Sequence, residues 1–131
     1  MTTTMTAGEM TAYDILTEAY EAGMRAANAI KPRPMVVTQV GLDDKPLPGT
    51  KPEIVWDGLC GFAWVVIKPA RGWFVNYLKK REIGDKHYAG GWCIWISEHD
   101  QSYERKEAHA KAMAEVFRKY GLTAYAGARL D

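Results

Sequence analysis

Cysteine is scarce in this chain. Cys60 and Cys93 are the only two in 131 residues, too few for the disulfide scaffold that small secreted domains rely on. Their separation, and the scatter of His87, His99 and His109, also lack the short paired spacings of structural zinc, so neither a metal nor a cofactor is expected. Both thiols lie inside apolar segments, where free cysteine packs as a small hydrophobe. Long apolar runs are missing too. Leu59 to Ile67 spans nine residues, far short of the roughly 20 that a membrane-crossing helix needs. The opening Met-Thr-Thr-Thr-Met-Thr has neither a basic start nor an apolar core, so no secretory signal and a cytoplasmic location are expected. An excess of one charge is absent as well: 17 basic and 16 acidic residues leave a net charge of +1. Any attraction for nucleic acid must therefore come from a local patch. Phosphate-loop and dinucleotide signatures do not occur, because Arg71-Gly72 and Gly90-Gly91 stand apart from the strand–glycine-loop–helix context their chemistry requires.

What is present describes an ordinary globular chain. Hydrophobic residues make up 47% and charged residues 25%, enough for one core of normal size. Residues 1–5 read as a disordered polar lead and residues 6–131 as a single α+β domain. Thr6 and Glu9 have capping-box spacing. After them Tyr13, Leu16, Tyr20, Gly23, Ala27 and Ile30 recur at helical steps, up to the stop at Lys31-Pro32. Met35 to Val40 reads as a strand. Residues 41–52, with three prolines and two glycines, read as a long loop.

Ile54-Val55-Trp56, Asp57-Gly58 and the apolar run from Leu59 read as a hairpin, because Asp-Gly suits a tight turn. Arg71 to Lys80 reads as a short helix and Trp92 to Ser97 as a buried strand. Ser102 can cap a helix from Tyr103 to Tyr120 with Ala110, Met113, Ala114 and Phe117 inward. Gly121 stops that helix, and Leu122 to Ala126 returns as an edge strand. The expected architecture is α+β, with three helices and a mixed four- to five-stranded sheet, in the order α-β-(ββ hairpin)-α-β-α-β.

Three kinds of function are open to such a chain. The leading one is a non-enzymatic binding or assembly module acting through the segment 68–88. Lys68, Arg71, Lys79, Lys80, Arg81 and Lys86 stand there against only Glu82 and Asp85, interleaved with Trp73, Phe74, Tyr77 and Tyr88. Cations meet phosphates or carboxylates, and flat rings accept unpaired bases, so Lys68, Arg71, Trp73, Lys79, Lys80, Arg81, Lys86 and Tyr88 are the candidate contacts for nucleic acid or an acidic protein. The bland reading of the same residues is a helix with an apolar core face and a cationic C-terminal end.

The second is a small enzyme with polar groups after the strand at 92–97. Its candidates are Glu98, His99 and Asp100, with His87 or Cys93 as further chemistry-bearing groups. His109, flanked by alanines, reads as solvated or partly packed. The third is a structural homo-oligomer, joined through the alanine-rich helix 6–30 or through an aromatic sheet. Five tryptophans and seven tyrosines supply residue types that anchor interfaces.

Overall fold

In the computed structural model, residues 6–31, 35–37, 53–55, 59–99 and 102–131 are described. The chain begins with helix α1, Ala7–Asn28, whose N-cap is Thr6. The Thr6 hydroxyl accepts a hydrogen bond from the Glu9 N–H at 3.1 Å, which satisfies one of the donors that a helix start leaves without a partner. The return half of the expected capping box is not made. The Glu9 carboxylate instead meets Lys80 Nζ at 2.7 Å.

The buried face of α1 is Ala12, Ile15, Ala19, Gly23 and Ala27. This is one residue round from the expected stripe, and Tyr13 and Tyr20 are left about half exposed. The small residues explain the rotation, because they let α1 lie close against helix α3, Tyr103–Lys119. At the nearest approach, a Cβ on Gly23 would come within 2.3 Å of His109 Cδ2. We therefore expect Gly23→Ala to destabilise the protein by about 1–3 kcal/mol, the usual cost of overpacking, as read by urea unfolding. A neutral result would mean that the helices are farther apart than this.

Helix α3 is capped by Ser102, whose hydroxyl accepts from the Arg105 N–H at 3.3 Å. Ala110, Met113, Ala114 and Phe117 are buried as expected. His109 is not solvated: it is completely buried, because α1 packs on the face that carries it. Along α3, Glu107 and Lys111 pair at 3.3 Å, and Lys119 reaches across to Glu18 of α1 at 2.8 Å.

The main sheet has four strands in the order β4-β5-β3-β6. They are β3 (Gly61–Lys68), β4 (Asp85–Lys86), β5 (Trp92–Trp95) and β6 (Thr123–Leu130). Every pairing in it is antiparallel, where a mixed sheet was expected. Helix α2, Trp73–Lys80, accounts for the difference. Eight helical residues rise about 12 Å, less than half of the roughly 26 Å covered by the eight residues of β3. The chain thus re-enters beside the end of β3 that it left, with Trp92 opposite Ile67. The two-residue strand β4 lies between α2 and β5, where the sequence predicts no strand.

The expected hairpin into Leu59 is also corrected. Strand β2, Glu53–Val55, pairs antiparallel with β1, Met35–Val37. Both edges of β3 are already occupied, by β5 and β6. Residues 56–58, the 41–52 loop and the 1–5 lead lie outside the described residues.

Alternation along β3 sends Ala63, Val65 and Ile67 into the core, with Phe74, Leu78, Met113 and Phe117 from the helices. Phe62, Trp64 and Val66 consequently point to the other face. Gly121, at φ 85°, provides the left-handed turn from α3 into the edge strand β6.

Candidate functional site

The three helices cluster on one side of the sheet. Among the described residues, the opposite face carries a row of rings. Tyr88, His87, Trp64, Trp95 and Phe62 follow one another with centroid separations of 4.5, 6.3, 5.1 and 6.5 Å. The pleat creates this row. Trp64 is the register partner of Trp95 on one side and of Gly127 on the other, and register partners share a face.

Gly127 is what lets the indole lie down. A Cβ there would sit 2.4 Å from Trp64 Cε2 and Nε1, so only a bare backbone can pass beneath the ring. Two exposed cations among the described residues flank the row, besides the buried Lys106, whose Nζ lies 5.8 Å from the Phe62 ring centre. Lys68 Nζ lies 5.5 Å from the centre of the Tyr125 ring, and the Arg129 guanidinium lies 5.2 Å from that of Phe62. The platform is accessible at several points: Tyr88 is 94% exposed, Trp95 49% and Tyr125 37%.

The segment 68–88 is divided between the two sides of the sheet. Lys68, His87 and Tyr88 belong to the aromatic face. Lys86 pairs with Trp92, whose side chain enters the core, and so lies on the helix side. The basic end of α2 is engaged within the molecule. Lys79 Nζ donates to the Ala70 carbonyl at 2.8 Å and lies 5.2 Å from the Trp92 ring centre. Lys80 is paired with Glu9, and Arg81 lies over Tyr77. Arg71 and Trp73 are exposed at the start of α2, where they line a small cleft with Lys68.

The candidates for catalysis are also separated. Cys93 is buried, and its thiol is pushed up to about 11, first by burial and then by the Asp85 charge, which leaves almost no thiolate at neutral pH. Cys93 lies opposite Val66, six strand residues beyond Cys60 or roughly 20 Å away, and both thiols are free. His87 stands on the aromatic face, while Glu98 and His99 lie at the end of β5 near the helices. There the Tyr20 hydroxyl donates to Glu98 Oε1 at 2.7 Å, and His99 Nε2 is 2.8 Å from His109 Nδ1. His99 has φ 72°, a conformation rare outside glycine. Asp100 lies outside the described residues. No group of three or more His, Cys, Asp or Glu side chains suited to a metal occurs among the described residues, and no described helix is long and apolar enough to cross a membrane.

His109 gives this region a pH signature. Burial lowers its pKa below the ordinary 6.5; the Glu98 charge opposes that and His99 adds to it. Its Nε2 is buried without a hydrogen-bond partner. Below pH 6.5 the unfolded chain takes up a proton that the folded chain refuses. Stability should therefore fall as pH drops through that value, by no more than about 1.4 kcal/mol per pH unit from this one group. Urea unfolding at pH 7.5 and 5.5 measures the slope. His109→Leu should flatten it, and an unchanged slope in that variant would assign the effect to other groups.

The aromatic row was missed because Leu59 to Ile67 is apolar at nearly every position, which hides the alternation. The available signal was Phe62-x-Trp64 at a two-residue step, with Tyr125-x-Gly127-x-Arg129 at the same step in a later strand. Compared with protein-family models, curated proteins and solved structures, the chain matches none of them.

Proposed function

We infer that this chain is a non-enzymatic binding module that takes single-stranded nucleic acid on the face of its sheet opposite the three helices. The observation that carries this reading is the row of rings from Tyr88 to Phe62, flanked by Lys68 and Arg129. Bases unstacked from a single strand stack on exposed rings without regard to sequence, and a sheet face offers several rings at once. Trp95, Tyr125 and Tyr88 are exposed enough to receive them. Trp64, held flat over Gly127, forms the floor between. Lys68 and Arg129 contact phosphates on either side. A duplex keeps its bases stacked inside and so offers this surface only its backbone.

The sheet face is favoured over the basic end of α2 because Lys79, Lys80 and Arg81 already have partners within the molecule. With two exposed cations beside the rings among the described residues, few counterions are released. The logarithm of affinity should fall with the logarithm of salt concentration with a slope of about −1.4, two contacts at −0.7 each.

Fluorescence anisotropy of a labelled 12-nucleotide single strand and its duplex, titrated with protein at low and near-physiological salt, tests this reading. Saturable, shallowly salt-dependent binding that prefers the single strand is expected. Equal or stronger binding of the duplex, or no binding at low salt, overturns it.

A further inference from the structure

A second site lies on the helix side of the sheet, away from the aromatic face. A cavity of about 920 Å³ opens between α1, the end of α2 and β5, a size typical of small-molecule sites. Leu16, Ile83, Ile94 and Met113 supply apolar walls, and the rings of Tyr13, Tyr20 and Tyr77 stand around them. Tyr13 and Tyr20 are the residues displaced from the expected inner stripe of α1. The rotation of that helix turns them toward this cavity, with Tyr20 still edge-on to His109 of α3 at 5.4 Å between ring centres.

The polar lining has a definite sign. Glu98 and Glu21 contribute two carboxylates against one cation, Arg81, whose guanidinium lies 5.7 Å from the centre of the Tyr77 ring. Glu98 is held in place. Its Oε1 accepts the Tyr20 hydroxyl at 2.7 Å, so the carboxylate is fixed at the cavity wall rather than free to swing into solvent. Tyrosine faces attract cations through the ring quadrupole, and an ionised carboxylate makes the strongest hydrogen bonds to an ammonium. An anionic ligand would meet two like charges here and a single partner.

We propose that this cavity binds a small organic ammonium with an apolar body, its nitrogen against the Glu98 carboxylate and its body among Leu16, Ile94 and Met113. The Glu98 carboxyl is suited to this part. Burial raises its pKa, but the bond from Tyr20 and the nearby histidines outweigh that and keep it below the ordinary carboxylate value. The anion is then present at neutral pH.

The probe is 2-phenylethylammonium, with phenylacetate as the anionic counterpart of equal size. Binding is followed by calorimetry and by the ¹³C-methyl signal of Met113. We expect saturable binding of the ammonium with a shift of the Met113 methyl, and little binding of phenylacetate. Glu98→Gln, which keeps shape and removes charge, should weaken ammonium binding roughly tenfold, the worth of one charged hydrogen bond. Tyr13→Ala, at a half-exposed position, should weaken it several-fold, and the methionine methyl spectrum reports whether each variant is folded. Trp95→Ala on the opposite face should leave it unchanged, so this site and the nucleic-acid face fail or succeed separately. Absence of ammonium binding, preference for phenylacetate, or full affinity in folded Glu98→Gln would each overturn the assignment.

Discussion

Trp95→Ala is expected to weaken single-strand binding by about 5- to 150-fold, the equivalent of about 1–3 kcal/mol for one lost base–ring stack. Trp95 is the ring on the platform that combines a large face with access. It is half exposed, sits at the end of β5, and has Trp64 at 5.1 Å and Phe62 at 6.5 Å as neighbours. A base placed on it lies within reach of Arg129, whose guanidinium is already over Phe62. Because so much of Trp95 faces outward, truncation should cost little stability, and urea unfolding should separate that cost from the loss of binding. A Trp95→Ala variant that folds and binds like the wild type would remove the sheet face from the account.

Gly127→Val has the second large effect, and it strikes stability and binding together. The first atom of the new side chain would fall 2.4 Å from the Trp64 indole, and its two branches need still more room. The ring must lift from β6, giving up its packing on the strand and disturbing the row that links His87 to Trp95. We expect a loss of about 1–3 kcal/mol in urea unfolding, the usual cost of overpacking, with single-strand binding reduced tenfold or more. The double variant Trp64→Ala/Gly127→Val separates the two consequences. With the indole gone the valine has space, so most of the stability should return while binding stays weak. Binding that recovers along with stability would mean that Trp64 serves the fold alone.

These two predictions rest on residues that the sequence made legible to different degrees. Helix α3 could be read almost whole, because its cap, its inner residues and its glycine stop are all local features. Helix α1 could be read as a helix but not in its orientation. Tyr13, Leu16 and Tyr20 form the more apolar stripe, yet Gly23 and its alanine neighbours decided the packing, because only they allow α3 so close. That choice depends on His109, far along the chain, and no local pattern carries it. The direction of β5 was hidden for a related reason: it follows from the length of α2 relative to β3, and composition does not report that comparison.

The candidate site divides along the same line. The segment 68–88 stood out by charge, a property of composition. Its Lys79 and Lys80 are engaged with Ala70, Trp92 and Glu9, while Lys68, His87 and Tyr88 are directed to the aromatic face. Tyr125, Gly127 and Arg129 join that face only through antiparallel pairing of β6 with β3. A side chain's neighbours across a sheet are set by register, and register is fixed by the whole fold. Glu98 and His99 were visible as polar residues after a strand, but their partners Tyr20 and His109 come from two different helices.

The most direct test of the nucleic-acid reading follows the tryptophan indole N–H signals in ¹H–¹⁵N spectra while a short single strand is added. Trp64 and Trp95 lie on the aromatic face, Trp73 stands at the start of α2, and Trp92 points into the core with its Nε1 donating to the Ile83 carbonyl at 2.8 Å. The account predicts progressive shifts of Trp95 and Trp64 with Trp73 and Trp92 unmoved. Shifts of Trp73 alone, with Trp95 silent, would contradict it and return the site to the basic helix.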